Sequence, residues 1–153
     1  MGTLLEVRNL KKYFQVPKGY LHAVDDVSFK INEGETLGIV GESGCGKSTL
    51  GRAILRLHEP TSGTVLYDGM NVTGMDKQEM RALRKYMQII FQDPYASLNP
   101  RFTVAQIIEE PLRLHKIYSS EAEVHARVEE LMDMVGLSAR MQNAYPPEFD
   151  GGP

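Results

Sequence analysis

Apolar and polar positions alternate near the start of the chain. Leu4-Leu5-Glu6-Val7-Arg8 carries the pattern, and Val24, Val27, Phe29 and Ile31 extend it from Leu21 to the turn Asn32-Glu33-Gly34. Such alternation predicts half-buried strands. Thr36 to Val40 is instead a continuous apolar run, the pattern of a strand buried on both faces of a parallel sheet. A glycine-rich loop follows, then a helical stretch from Lys47 to Leu57 with Leu50, Ile54, Leu55 and Leu57 apolar, closed by Pro60 and Gly63. Thr64 to Tyr67 predicts another strand, ending at the turn Asp68-Gly69.

After residue 75 the spacing changes to that of helices. Asp76-x-x-Glu79 can cap a short helix carrying Met80, Leu83 and Tyr86, and Met87 to Phe91 returns briefly to strand. Thr103-x-x-Gln106 has capping-box form and opens a helix with Val104, Ile107, Ile108 and Leu112 on one stripe, which Pro111 should kink. Ser120-x-x-Glu123 opens another, with Val124, Val128, Leu131, Met132 and Val135 inward and Gly136 as the stop. The chain is β-rich in front and helical behind.

Composition narrows the class. The 153 residues are 42% hydrophobic and 24% charged, which suits one ordinary folded domain and excludes collagen-like, disordered and membrane-embedded chains. The first residues lack a basic-then-apolar signal pattern. Seventeen Lys and Arg against twenty Asp and Glu leave a net charge of −3, which argues against nucleic acid as a partner. A single cysteine, Cys45, allows no internal disulfide, and the cytosol is the compartment that this suggests.

The chemistry concentrates in Gly41-Glu42-Ser43-Gly44-Cys45-Gly46-Lys47-Ser48, which fits G-x-x-x-x-G-K-[ST] at every fixed position. Small residues let the backbone wrap a phosphate closely, with N–H groups turned inward. The following helix adds positive potential at its N-terminus. Lys47 supplies a cation to the β- and γ-phosphates, and Ser48 offers a hydroxyl to Mg²⁺. The plain alternative is a tight strand-to-helix turn that binds nothing. Cys45 has two readings, a thiol activated by Lys47 and the helix end, or a small residue whose backbone N–H is all that counts.

Downstream, Phe91-Gln92-Asp93-Pro94-Tyr95-Ala96-Ser97-Leu98-Asn99-Pro100 runs on from the strand expected at Met87 to Phe91. On physics alone, Gln92 either points an amide at a ligand or belongs to an ordinary turn. Together with the phosphate loop and Tyr145-Pro146-Pro147-Glu148-Phe149-Asp150-Gly151-Gly152, this stretch resembles the ATP-binding subunit of ABC transporters, most closely the oligopeptide/dipeptide importer branch. The likeness runs from Leu4 to Gly152.

That resemblance implies an α/β fold, a P-loop NTPase of the ABC ATPase type. Its β-rich core would take residues 1–76 and 87–92, its helical subdomain residues 77–86 and 93–149, and the C-terminal sheet strands are expected to be missing. It implies ATP and Mg²⁺ as ligands, held by Gly41 through Ser48 and by Thr49. Tyr13 would stack on adenine, with Tyr20 as the alternative. Lys47 and Gln92 would act in catalysis, and Ser48 and Gln92 at the metal. Implied partners are membrane-spanning transporter subunits, a second ATP-binding subunit (identical or different) and, indirectly, a substrate-binding protein. The place would be the cytoplasmic face of the cell membrane.

The chain departs from the family pattern at Phe149-Asp150-Gly151-Gly152-Pro153, where the family carries Leu-Ser-Gly-Gly-Gln. The Asp150 carboxylate would repel a γ-phosphate, and Pro153 removes an N–H. The expectation is a chain truncated at this signature, marginally stable and with little ATPase activity of its own. A nucleotide-binding module without turnover is the alternative. A small P-loop kinase is the third reading, with Arg81, Arg84, Arg101 and Arg113 as available lid arginines.

Overall fold

The alternating segment at the front of the chain forms one long hairpin in the computed structural model, which describes residues 2–93 and 97–148. Strand β1 (Thr3–Val16) pairs antiparallel with β2 (Gly19–Asn32), from Thr3 opposite Asn32 to Val16 opposite Gly19. The other edge of β1 pairs antiparallel with β3 (Ser62–Tyr67), which turns through Asp68-Gly69 onto the short β4 (Met70–Asn71). The order is β2-β1-β3-β4. Alternation, reset by a register shift between Val7 and Leu10, sends Val7, Leu10, Val24 and Val65 into the core and leaves Glu6 on the other face.

There Glu6 takes hydrogen bonds or ion pairs from Arg8 at 2.8 Å and from Lys30, its cross-strand neighbour, at 3.0 Å. Arg8 first and Lys30 second hold its carboxyl down at about 2. A carboxylate depressed by folding stabilises fully above its ordinary value of 4.5 and loses that contribution as pH falls toward 2. Glu6→Gln should therefore flatten the acid limb of the stability profile across that window. Urea midpoints measured through it for both proteins check this; parallel profiles would contradict it.

Helix α1 (Lys47–Ile54) lays Leu50, Ala53 and Ile54 against the sheet, and α2 (Lys77–Leu83) adds Met80 and Leu83 to the same cluster. The predicted helix to Leu57 is three residues too long. Leu55 caps α1 and Arg56 enters the left-handed region at φ 49°, so Leu57 lies outside it, exposed. Arg56 donates to the carbonyls of Val72 and Met75, and Arg84 to those of Leu55 and Arg56. The Arg84 guanidinium thus binds backbone at the negative end of α1, while Arg56 ties that end to the turn at residues 72–75. Asp76 and Glu79 form the expected capping box on α2. Tyr86, expected on its inner stripe, lies past the helix end and is 63% exposed, because a turn from Leu83 replaces the helical spacing.

Contacts divide the chain into two compact units, Met1–Gln88 and Ile89–Pro153. In the second, α3 (Val104–Leu114) and α4 (Glu121–Met134) pack through Val104, Leu112, Val124, Val128 and Met132. Both capping boxes form as read, Thr103 with Gln106 and Ser120 with Glu123. Helix α3 runs on through Pro111 to Leu114. Arg113 reaches back to Glu109 and across to Glu121, joining the two helices. Gly136, at φ 73°, ends the α4 region as expected. Val135 is a correction: as the cap residue it turns outward and is 71% exposed.

Two predicted strands do not form. Thr36 to Val40 and Met87 to Phe91 carry no strand assignment, and Val40 and Ile90 are 93% and 94% exposed. A parallel strand exists only through ladder partners, and among the described residues none pairs with either segment.

Candidate functional site

The glycine-rich loop runs from Gly41 into α1, and Lys47 is the first residue of that helix. Helices α2, α3 and α4 are each closed by a side-chain capping box, whereas α1 opens on Gly46 with no side-chain cap and no acidic residue in its first turn. Its first-turn N–H groups are left to whatever enters the loop, and the positive end of its dipole has no carboxylate against it. That is the physical description of an anion site.

Gly46 makes the loop close-fitting. It holds φ 97°, and a Cβ there would stand 2.0 Å from the carbonyl oxygen of Ala23 on β2. Only a glycine lets the loop press so near the strand. The Lys47 ammonium curls over the loop, donating to the carbonyls of Gly41 at 2.8 Å and Glu42 at 2.6 Å, with the Cys45 sulfur at 3.5 Å. Ser48 is exposed and Thr49 half-buried in the first turn of α1. A cleft of about 310 Å³ opens here, lined by Phe14, Leu21, His22 and Ala23 of the hairpin and by residues 44–49. Its size suits a small-molecule ligand.

A larger cleft, of about 510 Å³, lies along α3 beside Glu109, Glu110 and Arg113. A third lies between Arg56 and α2. The third includes the start of α2, but Asp76 already caps that end, so the uncapped loop cleft is the candidate.

Tyr13 does not line that cleft. Its ring stacks on His22 with centroids 3.8 Å apart and planes 10° from parallel, and its hydroxyl donates to Asp25 at 2.5 Å. Asp25 also faces His22 Nδ1 at 3.5 Å and Lys11 at 3.7 Å. The Tyr13 bond holds the Asp25 carboxyl below its usual range, and the same bond raises the Tyr13 hydroxyl. Tyr20 sits near the hairpin end, exposed. Phe14, Leu21 and His22 escape a reading of motifs. The signal available is pairing: once the turn at residues 17–18 is placed, Phe14 faces Leu21 and Tyr13 faces His22 across the hairpin.

Gln92 belongs to the second unit and is exposed. Pro94, Tyr95 and Ala96 of the long motif, and Phe149 through Pro153 including Asp150, lie outside the described residues. Among the described residues no three His, Cys, Asp or Glu side chains gather as a metal site, and no helix is long and apolar enough to cross a membrane.

Known proteins match this chain over most of its length. A family model described as "ABC transporter" matches residues 24–152. The oligopeptide transport ATP-binding protein OppF of Bacillus subtilis (strain 168) is 55% identical over 150 residues, covering 97% of this chain and 49% of that protein. OppF of Escherichia coli (strain K12) is 50% identical over 159 residues, covering 98% and 48%. The chain thus spans about half the length of the curated relatives it matches. Among solved structures, the dimeric post-hydrolysis state of the ATP-binding cassette MJ0796 bound to ADP and Pi superposes with a TM-score of 0.81 at 29% identity, over 94% of this chain and 62% of that one.

Proposed function

The chain belongs to the ABC transporter family, and from that premise we propose that it is an ATP-binding subunit that energises the import of peptides. The observation that carries this reading is the loop over an uncapped α1, with Lys47 folded across it. The names of the relatives, oligopeptide transport ATP-binding proteins, supply the transported class.

The residues fit a triphosphate. Its phosphates would take the first-turn N–H groups of α1, and Lys47 would exchange its bonds to Gly41 and Glu42 for phosphate oxygens. Ser48 would offer its hydroxyl to a Mg²⁺ arriving with the nucleotide. Bound Mg²⁺ supplies charge neutralisation along the phosphates. The β-rich part of the chain would act as the nucleotide core and the α3–α4 part as the subdomain that receives membrane-spanning subunits. A second ATP-binding subunit would pair with this one, in keeping with the dimer that the MJ0796 cassette forms, and the assembly would sit at the inner membrane face with a substrate-binding protein delivering peptide.

The test is genetic. Cells carrying Lys47→Ala in the chromosomal gene should lose ATP-dependent uptake of labelled oligopeptide, with the protein still produced. Undiminished uptake would overturn the reading.

A further inference from the structure

The cleft between Arg56 and α2 gathers positive charge that the fold leaves unmatched. It holds about 340 Å³, and four cations (Arg56, Lys77, Arg81, Arg84) and two carboxylates (Glu59, Asp76) line it. Arg56 follows the cap of α1, so the cleft lies at the opposite end of that helix from the phosphate loop. Both carboxylates are engaged. Glu59 accepts from Arg56 at 3.1 and 2.9 Å, and Asp76 accepts from the N–H groups of Gln78 and Glu79. Arg56 is engaged too, donating further to the carbonyls of Val72 and Met75. Arg84 is anchored on the carbonyls of Leu55 and Arg56, which takes two of its five N–H donors. Lys77 and Arg81 are exposed, and among the described residues neither has a hydrogen bond or an ion pair.

Residues 77, 81 and 84 share one face of α2, being four and three apart. Like charges at that spacing repel, and Lys77 opens the helix, where its dipole disfavours a cation. Helix stability therefore does not account for the stripe, whereas an anion in the cleft would. We propose that this cleft is a second anion site, for a small molecule bearing a phosphate group, with Arg84 as the anchored contact and Arg81 and Lys77 as the free ones. Phosphate suits the donors better than a single carboxylate. A guanidinium fork takes two oxygens side by side, and an ammonium takes another as a point charge. The volume admits a small molecule rather than a folded partner. The assignment does not depend on the nucleotide reading of the loop.

The test titrates inorganic pyrophosphate, without Mg²⁺, into the full chain carrying Lys47→Ala, which weakens the phosphate loop. Backbone and guanidinium N–H resonances locate the binding. Saturable shifts are expected at the Arg81 and Arg84 side chains and along residues 77–84. Lys77→Ala combined with Arg81→Ala should weaken binding by about tenfold or more, the scale of lost charge-assisted hydrogen bonds. Alanine suits a helix, so α2 stays formed. Lys18→Ala combined with Arg140→Ala removes the same charge from exposed positions elsewhere and should change the affinity by less than about twofold. Absence of saturable binding, an equal loss in the two double variants, or largest shifts at Gly44 to Thr49 overturns the proposal. Capture on phosphatidylglycerol vesicles with no response to pyrophosphate also overturns it, since the stripe would then be a membrane contact and not a pocket.

Discussion

Gly46→Ala should both destabilise the fold and abolish nucleotide binding. At φ 97° an alanine is strained, at a cost of about 1–2 kcal/mol. Its Cβ would also lie 2.0 Å from the backbone carbonyl oxygen of Ala23, which cannot rotate away as a flexible side chain could. Pushing β2 and the loop apart adds about 1–3 kcal/mol, the range of other overpacked sites. The sum, roughly 2–5 kcal/mol, is a large part of a small domain's stability. The same movement pulls Gly46 from its place as the cap of α1 and turns the first-turn N–H groups away from a common centre. Urea unfolding joined to an ATP titration checks both effects. A variant with the original midpoint and the original affinity would show that the loop does not press on β2 as described.

Lys47→Ala should do the opposite, sparing the fold while removing the ligand. In the free loop the ammonium binds two carbonyls, Gly41 and Glu42, at a half-buried site. Their loss costs about 1 kcal/mol or less, since carbonyls near the surface turn to water. The ligand loses much more. A cation about 4 Å from a phosphate is worth about 4 kcal/mol at the effective dielectric of a protein surface, and charge-assisted hydrogen bonds are the strong ones. Allowing for desolvation, ATP affinity should fall by about a hundredfold or more. Circular dichroism and calorimetry on the same sample separate the two effects. A fall in affinity no larger than that of an exposed lysine elsewhere on the chain would contradict the assigned role.

The features legible in the sequence are those whose cause is local. All three capping boxes sit within four residues of themselves, and Asp76, Thr103 and Ser120 each close the helix that they announce. The phosphate loop is local too, and its fixed glycine at residue 46 proves to stand where a side chain would strike β2. The ABC ATPase reading of the fold agrees with the superposition on MJ0796. What failed depends on partners or on helix ends. Thr36 to Val40 has the composition of a buried parallel strand, but composition does not supply a ladder, and Val40 stands in solvent. Tyr86 and Val135 keep the helical spacing in the sequence yet fall after their helices have ended, so periodicity overruns its structure. Tyr13 comes forward only through the family resemblance, as the aromatic that would stack on adenine. Its capture by His22 and Asp25 is not legible, because it depends on the cross-strand register around a bulge between Lys12 and Tyr13.

The central claim is that the N–H groups leading into α1 are where a triphosphate binds. Backbone amide shifts measured during titration with Mg·ATP address it directly, residue by residue. The account predicts that the largest changes fall on Gly44, Gly46, Lys47, Ser48 and Thr49, with His22 moving on the hairpin and the α3–α4 unit little disturbed. Saturable binding with those loop amides unmoved, or with the largest changes along the cleft beside Glu109 and Arg113, would contradict it.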